Sequence, residues 1–107
     1  MLILFDHVTP RGIAKFLLGH RVIYAKDRGW DTLSNGDLLD AAERAGFDMV
    51  VTADKNMRYQ QNLESRRIAL VVLGTPQWPI VRLQLDKIAT AVNSAKPGSY
   101  IEVELSA

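Results

Sequence analysis

Asp6 closes the apolar run Leu2-Ile3-Leu4-Phe5, and Asp54 follows the run Met49-Val50-Val51-Thr52 after a single alanine. Runs of this length and unbroken apolarity suit strands covered on both faces. Each aspartate is therefore expected at the carboxyl end of a strand. Two carboxylates brought side by side repel and raise each other's pKa. A hard divalent cation removes that conflict, because Mg²⁺ and Mn²⁺ prefer oxygen ligands. An ion held there neutralises charge on a phosphate and lowers the pKa of a bound water, which is the chemistry of phosphodiester hydrolysis. Each aspartate also has a plain structural role open to it: Asp6 can start an Asx turn ahead of Thr9-Pro10, and Asp54 can cap the segment after it.

The other polar residues carry weaker signals. Asp37 falls in the first turn of an expected helix, where the macrodipole favours any carboxylate. Asp40 has Arg44 four residues on, an ordinary surface pair. Thr52 can hydrogen-bond a ligand carboxylate or simply suit a strand. Lys55 and Arg58 can meet phosphates, although exposed basic residues usually bind nothing specific. Gln60, Gln61 and Asn62 form an uncharged polar cluster next to them. His7 lacks a second histidine nearby to make a metal pair. Trp30, Tyr59 and Trp78 can stack on bases, with packing the better role for Trp78 between Pro76 and Pro79.

The elements that must position these residues follow from hydrophobic spacing. Leu2 to Phe5 is the first strand. Thr9 as N-cap and Pro10 at the first helical position open a helix with Ile13, Phe16 and Leu17 as its stripe, closed by Gly19. Arg21 to Ala25 reads as a second strand, and Lys26 to Asn35 as a polar loop. A helix opens at Ser34-Asn35-Gly36, carries Leu38, Ala42 and Ala45, and ends at Gly46. Asp48 to Thr52 and Ile68 to Leu73 are the third and fourth strands. Pro79 starts one long helix with Val81, Leu85, Ile88 and Val92 on a single face. After the turn at Lys96-Pro97-Gly98, Tyr100 to Leu105 alternates as an edge strand with Ile101, Val103 and Leu105 inward.

Strands alternating with helices predict a three-layer α/β/α fold with a mostly parallel central sheet of about five strands. The first strand is expected near the centre, with the second on one side and the third on the other. The chain then leaves the first and third strands toward opposite faces, and the crevice beyond their ends is where ligands bind in such sheets. Asp6 and Asp54 fall at that crevice.

Composition narrows the class. At 107 residues the chain makes one domain, residues 1–107, with a core large enough to need no staples. Hydrophobic residues at 48% and charged residues at 23% exclude long disorder. The absence of cysteine excludes disulfides and thiolate metal sites, and it fits a reducing cytoplasmic compartment. No apolar run reaches the length of a membrane span. The net charge of +1 does not announce a nucleic-acid binder. Its distribution is more suggestive: Asp31 to Asp54 holds six acids against Arg44, and Lys55 to Arg67 holds four bases against Glu64. An acidic block beside a basic one suits a metal site with a phosphate-binding rim, and it also suits solvated faces.

Three stretches taken together carry a family likeness. Phe5-Asp6-His7-Val8-Thr9-Pro10, then Asn35-Gly36-Asp37-Leu38-Leu39, then Thr52-Ala53-Asp54-Lys55-Asn56 with Arg58-Tyr59-Gln60-Gln61-Asn62 resemble the small bacterial PIN-like proteins, described as candidate toxins of toxin–antitoxin pairs. The likeness spans the whole chain in order. It implies a metal-dependent ribonuclease with RNA as substrate, Mg²⁺ or Mn²⁺ as cofactor and an antitoxin protein as partner. It also implies that Asp6, Asp37 and Asp54 hold the ion. Thr52, Lys55, Asn56, Arg58 and Gln61, close to Asp54 in sequence, are expected to contact substrate. Two departures stand out. Asn56 takes a position where relatives carry a further aspartate, and His7 one that is often acidic or amide-bearing. Fewer carboxylates imply a weaker site. Two other readings share the acidic pocket: a PIN-like interaction protein that has lost activity, and a receiver-type domain phosphorylated on aspartate. Against the receiver reading, Asp6 lacks an adjacent acid and no lysine ends the final strand. The edge strand ending at Leu105 is where a homodimer would pair.

Overall fold

In a computed structural model, which describes residues 1–57 and 66–105, five strands form one sheet. These are β1 (Leu2–Phe5), β2 (Arg21–Tyr24), β3 (Met49–Thr52), β4 (Ala69–Leu73) and β5 (Tyr100–Val103), in the order β2-β1-β3-β4-β5. Every pairing is parallel. β1 lies between β2 and β3, as expected from the sequence, with Phe5 opposite both Tyr24 and Val51.

Two cores explain why the central strands β1, β3 and β4 are almost entirely apolar. On one face Ile3, Phe5, Met49, Val51, Val71 and Leu73 pack with Ile13 and Leu17 and with Val81, Ile88 and Val92 of helices α2 (Trp78–Val81) and α3 (Leu85–Ser94). On the other, Leu4, Val50, Leu70 and Val72 pack with Leu38, Leu39 and Ala42 of helix α1 (Asn35–Arg44) and with Ala25, Phe47 and Met57. Successive strand residues point to opposite faces, so a strand buried on both sides has no polar position to spare. The result is a three-layer α/β/α arrangement. The segment after β1 sends Ile13 and Leu17 to the first core, while the segment after β3 sends Met57 to the second. The chain therefore leaves β1 and β3 toward opposite faces, which opens a crevice between their ends.

Three local expectations are corrected. The segment after β1 is a 3₁₀ helix, Arg11–Phe16, with Pro10 rather than Thr9 at its cap and no side chain capping it. The Thr9 hydroxyl is turned away, toward Asp6 and the Val51 carbonyl. Phe16 is half exposed, and only Ile13 of the 3₁₀ helix is buried. The polar loop before α1 begins with a second 3₁₀ turn, Ala25–Arg28. The long helix from Pro79 is two helices. Between them the Leu83 and Gln84 amides reach back three residues, to the Ile80 and Val81 carbonyls, and Gln84 leaves helical geometry at φ −132°, ψ 30°. The buried stripe of Val81, Ile88 and Val92 runs on across this break.

Candidate functional site

Asp6 extends β1 by one ladder position, its N–H donating to the Val51 carbonyl at 3.4 Å. That register buries its side chain, leaving it 6% exposed. Both carboxyl oxygens are met by hydroxyls. Thr52, the last residue of β3 and fully buried, donates to Oδ2, and Thr9 Oγ1 lies 2.5 Å from Oδ1. Thr52 Oγ1 in turn accepts the Asp54 N–H at 3.0 Å. Thr52, expected either to serve a carboxylate or to fill a strand, does both.

The protons in this cluster can be counted. Thr9 Oγ1 contacts Asp6 Oδ1 and also the Val51 carbonyl, at 2.8 Å. A threonine hydroxyl carries one proton, so both contacts are hydrogen bonds only when Asp6 supplies a second. Burial acts in the same direction. It pushes the Asp6 carboxyl above its ordinary value of 3.8, and the hydrogen bonds from Thr52 and Thr9 and the nearby His7 oppose the rise without cancelling it.

Asp54 is different in character. It lies half-buried just past β3, and Oδ1 accepts the Asn56 N–H at 2.9 Å, an Asx turn. Its carbonyl accepts the Met57 N–H at 3.2 Å. Oδ2 accepts from the side-chain amide of Asn35, the first residue of α1, at 3.3 Å. Asp6 and Asp54 line one cavity of about 270 Å³ together with His7, Trp30, Asn35 and Pro76. Trp30 is fixed there by an edge contact with Phe47 and by the Arg28 guanidinium over its ring.

The remaining expected residues fall elsewhere. Asp37 is exposed and does not line the cavity; its N–H donates to Ser34, the N-cap of α1. Asn35, two residues earlier, supplies the polar group instead. Lys55 lines a separate cavity of about 450 Å³ with Gly74, Lys87, Glu102 and Glu104. Asn56 is exposed and contributes its backbone N–H to Asp54. Arg58 and Gln61, with Tyr59, Gln60 and Asn62, lie outside the described residues. Asp40 pairs with Arg66 at 2.7 Å rather than in the expected contact with Arg44. Trp78 packs its ring over Gly12, where a Cβ would come within 2.5 Å of it. Thr9 and Asn35 are the site residues that spacing did not select. The Asp-x-x-Thr interval was there to suggest the first, but a proline at the next position made the helix-cap reading more natural.

Among the described residues, no group of three or more His, Cys, Asp or Glu side chains is gathered to hold a metal ion. The polar side chains lining the cavity are the Asp6 and Asp54 carboxyls, the Asn35 amide and the His7 imidazole, a set with no thiolate. By donor type it fits a hard cation such as Mg²⁺ or Mn²⁺. Such an ion would have to compete with the threonine hydroxyls for Asp6. No helix among the described residues is long and apolar enough to cross a membrane. In comparisons with known proteins, no family model, curated sequence or solved structure matches the chain.

Proposed function

We propose that this protein is a ribonuclease that hydrolyses RNA phosphodiester bonds with Mg²⁺ or Mn²⁺ bound between Asp6 and Asp54. The observation that carries the reading is that two carboxyl groups from neighbouring parallel strands line one cavity where the chain leaves the sheet toward opposite faces. The PIN-like likeness of the three sequence stretches supports RNA as the substrate and a toxin role with an antitoxin partner. When bound, the ion would neutralise phosphate charge and lower the pKa of the attacking water. Thr52 would orient Asp6, Asn35 would orient Asp54, and Trp30 would wall the cavity against bulk water. Asp37 has no part in this pair, because it lies outside the cavity.

A second reading, an interaction protein without activity, is favoured by one observation: both Asp6 oxygens are already taken by hydroxyls. Cleavage of labelled single-stranded RNA separates the two. The ribonuclease reading expects cutting in Mn²⁺ or Mg²⁺ that chelator stops. Asp6→Asn and Asp54→Asn should each lower the rate by a hundredfold or more, and Asp37→Asn by far less. Cutting at an equal rate in Asp6→Asn and Asp54→Asn would trace the activity to a contaminant. No metal-dependent cutting by the native protein would leave the interaction reading.

A further inference from the structure

A second cleft, of about 310 Å³, shares Asp6 and His7 with the first and is completed by Thr9, Arg11, Tyr24 and Lys26. It sits beyond the carboxyl ends of β1 and β2, whereas the Asp54 cavity sits beyond those of β1 and β3. Parallel pairing builds it. Phe5 and Tyr24 are register partners, and their rings meet edge to face at 5.9 Å. Arg11 opens the 3₁₀ helix after β1 and lays its guanidinium 3.9 Å above the Tyr24 ring. Lys26 follows β2 in the second 3₁₀ turn and is exposed.

Both cations are available to a ligand. Stacking on Tyr24 orients the Arg11 guanidinium while its N–H edge stays open to a phosphate, the group its planar fork matches best. Its ion pair with Asp27 is long, 3.4 Å, and both side chains are more than half exposed, at 56% and 60%. Pairs of that kind contribute little in water and yield to a better partner. Because Arg11 covers the Tyr24 ring, the cleft offers charge rather than a stacking face, and so it would read backbone and not base.

The geometry points to this cleft as a phosphate-binding subsite for a single-stranded RNA chain. Arg11 and Lys26 hold a phosphate neighbouring the one received at Asp6 and Asp54, and His7 lies at the junction of the two cavities. The assignment rests on the proposed function for the nature of the strand, and its test is one of binding rather than cleavage.

Fluorescence anisotropy of a labelled decauridylate, in chelator and across a salt series, provides that test. Arg11→Ala combined with Lys26→Ala should raise Kd at least tenfold. It should also reduce the salt slope by about 0.7, the value for one phosphate contact on a single strand. A charge-matched control, Arg67→Ala with Lys96→Ala at the opposite end of the strands, should change Kd less than twofold. Arg11→Lys should keep the salt slope but lose part of the affinity, because an ammonium retains the charge without the planar fork stacked on Tyr24. If the double alanine variant fails to fold, Lys26→Ala alone decides, with a threefold or larger loss expected. The assignment is overturned if the native protein does not bind decauridylate, or if the cleft variants bind no worse than the control. Intact metal-dependent cleavage with binding indifferent to Arg11 and Lys26 would sink the cleft alone; cleft-dependent binding without any cleavage would sink the nuclease reading alone.

Discussion

Asp6 and Asp54 stand at the ends of neighbouring strands and share a cavity, yet the protein treats them differently. Asp6 is buried, and each of its oxygens meets a threonine hydroxyl. Asp54 is half-buried, and its oxygens accept from a loop N–H and from the Asn35 amide. Asp6 therefore belongs to the core's hydrogen-bond network, with its carboxyl pushed above the ordinary value by burial, whereas Asp54 is a turn residue at the cavity wall. A cation arriving here would find Asp54 held in a turn and Asp6 held between two threonine hydroxyls that it would have to displace. The same amino acid, level with the last residue of β3 at Asp6 and two residues beyond it at Asp54, thus acquires different chemistry, and the residue three places on differs too: Thr9 after Asp6, Met57 after Asp54.

The largest effect should come from removing the Asp6 side chain while its acid is still neutral. At about pH 3.8, below the folded pKa, Asp6→Ala leaves the buried Thr52 hydroxyl without its acceptor, and the loss should be about 1–3 kcal/mol by urea unfolding. Asp6→Asn should be close to neutral at that pH. Its amide N–H₂ can donate to Thr9, which then donates to the Val51 carbonyl, and its carbonyl can accept from Thr52. Equal losses in Ala and Asn would show that the hydroxyl network does not stabilise the fold.

The next effect is on pH dependence, and its sign follows from linkage. The Asp6 pKa is higher in the folded state than its ordinary 3.8, so the folded protein binds more protons between those two values. Stability is then lost as pH rises from about 3.8 through the folded pKa, and it levels off above it. Asp6→Asn lacks this term, so its advantage over the native protein should grow with pH across that window. Urea midpoints for both proteins measure it; a constant difference would mean that Asp6 has the same pKa folded and unfolded. Mn²⁺ should likewise raise the native melting temperature more strongly above the window than within it.

The smallest effects belong to Asp54 in chelator. Asp54→Asn keeps an oxygen for the Asn56 N–H and should shift stability by no more than about 0.5 kcal/mol. Asp54→Ala loses the turn and should cost about 1 kcal/mol, as a lost cap does. A gain in Asp54→Asn of about 1 kcal/mol would mean instead that two charged carboxylates repel each other in the resting protein. That would overturn the contrast with Asp6.

The sheet order β2-β1-β3 and the crevice were legible because apolar runs and alternating helices constrain a parallel sheet strongly. The hydroxyl at Thr9 was not. Local spacing marks Thr9-Pro10 as a helix start, and nothing nearby says that a carboxylate and a carbonyl from β3 will claim the hydroxyl. The break between α2 and α3 was hidden for a related reason. Val81, Leu85, Ile88 and Val92 keep intervals of four, three and four across it, so the buried face persists where the backbone does not. Asn35 and Asp37 illustrate a third limit. Both lie in the first turn of α1, and which of them meets the cavity depends on how that helix is set against β1 and β3, a tertiary fact. The expected Asp40–Arg44 pair failed in the same way, because Arg66 from a distant segment takes Asp40.

The all-parallel sheet has a consequence in time as well as in space. No strand pairs with its neighbour through a hairpin: Leu2 meets Arg21, Met49 meets Ala69, Leu70 meets Tyr100, and Ile3 must find Met49. Each pairing closes a loop before any ladder hydrogen bond repays the lost entropy, and the cost rises with loop length. Proteins dominated by such distant contacts fold slowly, in milliseconds to seconds. The β1–β3 pairing closes the longest of these loops, and it alone brings Thr52 to Asp6 and Asp54 to their common cavity. A chain in which β1 and β2 have joined but β3 has not would hold Asp6 in water as an ordinary, ionised carboxylate. The shift in its acidity is thus acquired late, and proton uptake at Asp6 during refolding would report the moment at which the site comes into being.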